Sequence, residues 1–441
     1  MSPKSHLPPG PKSPALLQTL RSYTGEQRGF PALVQRYGPT FTIRLLPGPQ
    51  TYVLFSEPDD IKAIFAGDAA EFSGAGGNEV LRAAMGDRSV MLNDGAEHRR
   101  MRGYLRPAFS PGAVAAYRPV VEELTHAEVE RWVPGQTVSS LERMAAITLE
   151  VMLRVVFGVS EGERLEQLRP RVLRLAEVGP VVVVGWLYPT LRALPPWRGH
   201  AANLREVDAL IHAEIDARRA GDRDKDDLLT RLLAVGSDGL GDEQGPLPAQ
   251  ELRDQLVTLL LAGYETSASA LSWTLHELAR DPRALAAAQH AADEGDEAYL
   301  EACVKEAMRL HPIIDFVART LRSPQQIGGW DLPAGVTVAP AIMLAHHREA
   351  AFAEPEQYRP ERFLGDGPAA HTWIPFGGGV RRCVGASFAL MEGVVVLREV
   401  LRRFDLVADE SSPTRLRNIT NVPGDGAPLR LLARASVRGT G

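Results

Sequence analysis

Apolar and polar positions along the chain shift between a helical period and a strand period. The longest helical pattern runs from about Ala249 to Arg280, where Asp281-Pro282 stops it. Roughly 30 residues at 1.5 Å each predict a rod of about 45 Å, enough to cross a domain. Its middle, 256–262, is apolar nearly all round, which predicts burial on every side. Residues 113–235 read as mostly helix with glycine and proline breaks, and carry a strongly apolar patch at 181–187. Two short strands, 41–45 and 51–55, are joined by the turn Pro47-Gly48-Pro49, and a short helix follows over 58–65. Residues 313–319 alternate as a strand does, strand and turn signals continue over 330–340, and the tail from Phe404 reads the same way. Two stretches read as loops: FSGAGGN at 72–78, mobile by composition, and GSDGLGDEQGPLP at 236–248. These elements predict a mainly α fold with a smaller β-rich region at about 38–57, 313–345 and 405–436.

Length alone suggests two or three domains. No linker or repeat divides residues 1–441, so one domain is expected. The chain is 44% hydrophobic and 24% charged, ample for a core and a cofactor. A net charge of -6 argues against nucleic acid as the main partner. Two cysteines, Cys303 and Cys383, imply no disulfide framework and fit a reducing cytoplasm. No run of about 20 apolar residues predicts a membrane span. The proline-rich start is not a secretory signal, and a cytoplasmic monomer is expected.

Candidate chemistry concentrates at 373–393, WIPFGGGVRRCVGASFALMEG. Three glycines in a row are tolerated where a chain turns tightly or approaches something flat and large. Cys383 lies just before a helix-favouring run, where free N–H groups and the dipole favour a thiolate, and Arg381 and Arg382 push the same way. A thiolate here is open to use as a nucleophile, a metal ligand or a buried structural group. In the central helix, Gly263, Glu265 and Thr266 form three local violations together, a mark of function. A threonine bonding back to the preceding turn is the structural alternative. His98 and Arg102 are four apart and share a helix face, which on composition alone is a solvated basic face. Glu306 and Arg309 make an i, i+3 pair, weak evidence alone.

The pattern Phe376-x-x-Gly379-x-Arg381-x-Cys383-x-Gly385 resembles the haem-binding loop of the cytochrome P450 family. Ala262-Gly263-Tyr264-Glu265-Thr266 is similar to the family's oxygen-activation motif, Glu306-x-x-Arg309 to its E-x-x-R helix, and Pro360-Glu361-Arg362-Phe363 to its P-E-R-F element. With His98-x-x-x-Arg102, five motifs occur in the family's order over roughly residues 94–393. The resemblance implies the P450 fold, haem b and a haem-thiolate monooxygenase. It makes Cys383 the iron ligand, and Phe376, Gly379 and Gly385 part of a loop passing close under the porphyrin. His98, Arg102, Arg319 and Arg381 would hold haem propionates. Ala262 and Gly263 would open a groove over the iron. Thr266 and Glu265 would handle protons for dioxygen, while Tyr264 has no assigned role. Glu306, Arg309 and Arg362 would form a structural triad bracing the cysteine loop, with Cys303 a small buried hydrophobe.

By the same resemblance, 72–78 is a substrate lid and the 181–187 patch roofs the pocket. Val90, Met91, Leu92, Ile313, Ile314, Asp315, Phe316 and Val317 would meet an apolar small molecule. Asp315 is a departure, because an acid among apolar groups either bonds to the protein or reads a basic amine or hydroxyl. If Ile314 and Phe316 face the core, Asp315 faces the haem side with Ile313 and Val317. No flavin-reductase segment follows the haem loop, so electrons would come from a separate ferredoxin or flavodoxin with its reductase. Arg99, Arg100, Arg106, Arg382, Arg398, Arg402 and Arg403 would form a basic patch that steers it. Two rivals remain: the same fold acting as a peroxygenase, rearranging or coupling enzyme, and a haem sensor or carrier without turnover. The Glu265–Thr266 pair counts against the peroxygenase, since an enzyme fed with peroxide need not deliver protons to dioxygen.

Overall fold

The computed structural model describes residues 7–23, 29–46, 50–158, 163–176, 182, 188–221, 227–235 and 246–434. The turn 47–49, the apolar patch at 181–187 apart from Val182, and the 236–248 loop before residue 246 lie outside them. Among the described residues no helix is long and apolar enough to cross a membrane.

The central helix spans Ala249–Arg280, 32 residues, as the pattern predicts. It ends because Asp281 leaves helical geometry and its carboxylate accepts from the Arg283 and Ala284 N–H groups, capping the next helix, Pro282–Glu294. Helix Ser140–Phe157 lies along the central helix and buries an almost continuous apolar surface before Gly158 caps it in left-handed geometry. Helices Pro111–Val129, Glu297–Leu310 and Ala386–Arg403 (the cysteine helix) complete the packing, and their apolar faces join one large core.

The strands in chain order are β1 (Thr40–Leu45), β2 (Gln50–Phe55), β3 (Phe72–Ser73), β4 (Thr137–Ser139), β5 (Arg319–Leu321), β6 (Gln325–Ile327), β7 (Trp330–Leu332), β8 (Thr337–Pro340), β9 (Phe404–Val407), β10 (Thr414–Arg417), β11 (Thr420–Pro423) and β12 (Pro428–Ala433). The largest sheet runs β1-β2-β8-β5-β3, with β2 parallel to β8. β4-β12-β9 form a second sheet, and β6-β7 and β10-β11 are hairpins. All but β3 and β4 fall at the expected β-rich ranges, allowing one residue at β9.

Two local expectations fail. Residues 313–319 are not a strand: 313–315 bend, Phe316 makes a single bridge to Ala341, and pairing starts only at Arg319. The reason is capture from the side. Asn421 donates its backbone N–H to the Ile313 carbonyl and its side-chain amide to the Pro312 carbonyl. The 72–78 stretch is not a mobile loop by hydrogen bonding. It is β3 followed by a helical turn, Gly74–Gly77, capped by Ser73 and tied to Asp94.

Candidate functional site

The loop before the cysteine helix is closed by the Cys383 N–H donating to the Phe376 carbonyl at 2.9 Å, with Gly377 N–H on the Ile374 carbonyl at 3.0 Å. Gly377 and Gly379 both take φ +64°. A Cβ on Gly378 would stand 2.2 Å from the Phe65 ring, and one on Gly379 would stand 2.1 Å from the Phe65 carbonyl. Helix Pro58–Ala66 therefore requires those two glycines on its own side of the loop. Glu306 and Arg309 are fully buried and paired at 2.7 Å, and Arg362 reaches Glu306 at 3.1 Å. Arg309 also donates to the His346 carbonyl at 3.0 Å, and His346 Nε2 accepts from Ile374 N–H at 2.8 Å. The triad thus connects to the first residues of the loop. Cys303 is buried in the core.

Cys383 itself is solvent-exposed, although protein crowds its other sides. That crowding raises its thiol pKa, opposed by the Gly385 N–H and by Arg102 and Arg382.

Four basic side chains lie within electrostatic reach of one another: His98, Arg102, Arg319 and Arg381. His98 is buried, and burial followed by Arg381 and Arg102 lowers its pKa to about 4. Arg102 donates to the Arg382 carbonyl at 2.6 Å. Arg319 is only 9% exposed, yet among the described residues its guanidinium donates only to the adjacent Ala318 carbonyl, and burial lowers its pKa to about 10. Among the described residues no carboxylate pairs with Arg319 or Arg102. Arg381 is engaged by the Asp94 carboxylate and by the Met91 and Asn93 carbonyls. One carboxylate against three arginines leaves an unbalanced buried positive charge, which is costly unless an anion joins it. An accessible sulfur beside such a set fits a metal-bearing cofactor with acidic side groups. Asp94 is a site residue that its sequence neighbourhood does not reveal. It precedes helix Gly95–Leu105 where a cap would stand, but its side chain makes no cap.

The central helix opens a window here. Residues 252–260 and 267–279 are buried, whereas Ala262 is exposed and Thr266, one turn on and on the same face, is partly exposed. Gly263 also packs closely against helix Ser140–Phe157. Its missing Cβ points at Met152, where a methyl would lie 2.7 Å from the sulfur. Thr266 Oγ1 donates back to the Ala262 carbonyl at 2.6 Å, the structural arrangement, leaving its oxygen free to accept. Glu265 is 6% exposed and clasped by Arg417, with Asn418 Nδ2 at 3.3 Å. Burial raises its pKa and Arg417 opposes the rise. Tyr264 packs into the core, and its carbonyl accepts from Thr148 at 3.0 Å.

Val90 and Leu92 are buried and Met91 is half-buried beside the central-helix residue Leu261. The Val90 N–H is held by Gln255 at 3.0 Å. Residues 313–317 do not share one face. Ile313 joins the main core, Ile314 and Val317 join the Ile61–Phe65–Ile374 cluster, and Phe316 packs on Tyr52 of β2 at 5.6 Å. Alternation therefore cannot orient Asp315. Its carboxylate accepts from Asn421 Nδ2 at 2.7 Å, and burial raises its pKa to about 6.

The expected basic patch is smaller than its sequence suggests. Arg100 pairs with Glu97 and Glu251, Arg398 with Glu122 and Glu297, and Arg403 with Glu130. Arg402 donates to the Ala292 carbonyl. Arg99, Arg106 and Arg382 remain exposed without a carboxylate partner among the described residues.

Comparison with known proteins adds the family. The family model described as cytochrome P450 matches residues 8–424. A protein named cytochrome P450 135A1 in Mycobacterium tuberculosis is 42% identical over 99% of this chain and 97% of its own length. One named cytochrome P450 135B1 in Mycobacterium bovis is 39% identical over 98% of this chain and 93% of its own. The solved structure of retinoic acid bound cyanobacterial CYP120A1 superimposes with a TM-score of 0.84 at 24% identity, covering 98% of this chain and all of that one. That likeness shows the same fold.

Proposed function

The chain belongs to the cytochrome P450 family and is a haem-iron monooxygenase, and from that premise we propose that it hydroxylates or epoxidises an apolar small molecule. The observation that carries this reading is the exposed Cys383 sulfur on its glycine loop, beside basic groups that lack enough counter-charge. The cofactor would be haem b, with Cys383 as its thiolate. Bound there, it supplies reductive activation of dioxygen, helped by electron donation from sulfur.

The chain's own residues do the rest. His98, Arg102, Arg319 and Arg381 hold the cofactor's carboxylates. The Glu306–Arg309–Arg362 triad keeps the cysteine loop in place through His346 and Ile374. Thr266 Oγ1 accepts and passes a proton at the window in the central helix, and Glu265 supplies it when its contact with Arg417 loosens. Val90, Met91 and Ile313 shape an apolar site, and Asp315 reads a basic or hydroxyl group on the substrate. Electrons come from a separate ferredoxin or flavodoxin with its reductase, docked near Arg99, Arg106 and Arg382, and the enzyme acts in the cytoplasm as a single-domain monomer.

The test is spectroscopic. The reduced carbon-monoxide complex of the holoprotein should show the red-shifted Soret band of thiolate ligation, and Cys383→His should move it to the position seen with imidazole. An unchanged band in that variant would end the reading.

A further inference from the structure

Five donors converge on one carboxylate outside the cysteine loop. Asp94 Oδ1 accepts from the Gly74 N–H at 3.0 Å, the Ala75 N–H at 3.2 Å and Arg381. Oδ2 accepts from Ser73 and from Arg322 at 2.7 Å. These contacts hold its pKa below the usual carboxylate value despite burial, so it carries a full charge. Arg381 also donates to the Met91 and Asn93 carbonyls. Asn78 closes the circuit, donating to the Gly74 carbonyl at 3.1 Å and to the Met91 carbonyl at 3.3 Å.

We infer that Asp94 is a positioning residue: through Arg381 it couples the cofactor loop to the two segments, 72–78 and 90–92, that border the substrate space. The inference rests on the haem reading above and extends it. Each link has a stated cause. Gly74 must lack a Cβ, since one would stand 2.2 Å from Arg381 Nε, so the glycine-rich turn is shaped to let the arginine pass. Gly77 is pressed on its other side by Ala318, 2.7 Å from where a Cβ would be, so the turn cannot retreat. The arginine is thus gripped by the turn, the carboxylate and two carbonyls at once. Anything that fixes Arg381 fixes both segments, and by reciprocity the segments fix Arg381.

Two effects of Asp94 oppose each other, and their balance makes the test sharp. As a negative charge among arginines it weakens attraction for an anionic cofactor. As an anchor it holds Arg381 in place to receive one. Asp94→Asn removes the charge and turns one accepting oxygen into a donor, so Arg381 loses its charge-assisted grip and Ser73 and Arg322 lose their acceptor. Gly74→Ala leaves the charge intact and displaces the arginine.

The experiment uses the holoprotein. Haem loss to excess apomyoglobin is followed by absorbance, and hydrogen exchange is read on peptides covering 72–78 and 90–92. Both variants should lose haem about 10-fold faster than wild type, the lower end of the loss typical for partners that orient a metal-site group. Both should lose protection in those two segments while the central helix keeps it. Arg322→Ala removes a half-exposed partner that does not touch Arg381, and should lose haem at nearly the wild-type rate. Slower haem loss in Asp94→Asn would show that charge alone matters and overturn the inference. So would wild-type retention in Gly74→Ala, which also decides the matter if Asp94→Asn does not fold. Failure of the haem reading itself is seen separately, as a wild-type spectrum without thiolate character.

Discussion

Arg417, at the end of β10, closes on the carboxylate of Glu265 in the middle of the central helix, 152 residues earlier in the chain. Asn418 of the same turn reaches the other oxygen and also holds the Ala176 carbonyl. One hairpin tip therefore fixes the acid beside Thr266. Burial raises the Glu265 pKa and Arg417 is the first group opposing that. Arg417→Gln should thus keep Glu265 protonated to higher pH, and any limb of the oxidation pH profile that follows Glu265 should move upward. Loss of the half of a pair that leaves a buried acid behind should also cost about 1–3 kcal/mol, less than for a fully buried pair because Arg417 is partly exposed. Adding Glu265→Gln should recover most of that. A pH profile identical to wild type would show that Glu265 does not titrate in turnover.

Gly263→Ala tests what the glycine in the central helix is for. Its Cβ would lie 2.7 Å from the Met152 sulfur. Overpacking of this kind costs about 1–3 kcal/mol, more than the roughly 1 kcal/mol gained in helix propensity. The variant should melt lower, and in a Met152→Ala background the same change should cost nothing further, with ligand-induced Soret shifts close to wild type. A large change in ligand binding at unchanged stability would return Gly263 to the groove.

These residues show why some of the molecule was legible and some was not. The central helix was readable to the residue because its pattern and its Asp281-Pro282 stop are local. Glu306 and Arg309 are also local, but Arg362 joined them only through the resemblance. The Asp94–Arg381 and Glu265–Arg417 pairs leave no mark in either neighbourhood. Gly74, Gly378 and Gly379 advertise a lack of Cβ without saying which neighbour requires it. The neighbours are Arg381 and Phe65, contacts from distant parts of the chain that no local pattern records. The alternation at 313–319 is real, but Asn421 takes the backbone and side-chain contacts that would have made it a strand.

Steering of the electron donor should depend on the three unpaired arginines. Reduction by ferredoxin should slow as salt rises, since the Debye length falls to about 10 Å at 0.1 M. Charge reversal at Arg99, Arg106 and Arg382 should slow it at low salt and flatten the salt dependence. Reversal at Arg398 and Arg403, already neutralised by Glu122, Glu297 and Glu130, should do much less at the docking step. Stopped-flow rates that ignore salt would remove the steering argument.

Asp315 makes substrate choice pH-dependent if it reads the ligand. Its pKa, raised to about 6 by burial, leaves it ionised above that pH and neutral below. Soret titrations with an amine and a neutral ligand of matched size should show the amine losing affinity as pH falls through about 6. Asp315→Asn should remove that selectivity while retaining an acceptor for Asn421. A parallel loss for both ligands would mean that Asp315 serves only to hold the bend at 313–315.

Glu392 provides the last test, of stability against pH. It lies on the cysteine helix with no exposure, and among the described residues only the Ser267 hydroxyl stands close enough to temper the effect of burial. Its pKa is raised from 4.5 to about 8. Below the unfolded value both states are protonated and nothing is lost. Between the two values only the unfolded chain ionises, so the folded state loses stability as pH rises, and the loss is complete above about 8. Glu392→Gln should match wild type in acid and exceed it by a few kcal/mol at the alkaline end, since each pH step between the two values costs about 1.4 kcal/mol before relaxation. Asp315 contributes in the same direction up to about pH 6, and comparing wild type with Glu392→Gln cancels every titrating group that the two proteins share. Denaturant melts of the two holoproteins across that interval measure the difference. A difference that does not grow with pH would mean that Glu392 is ionised in the folded protein, with water or an ion against its oxygens.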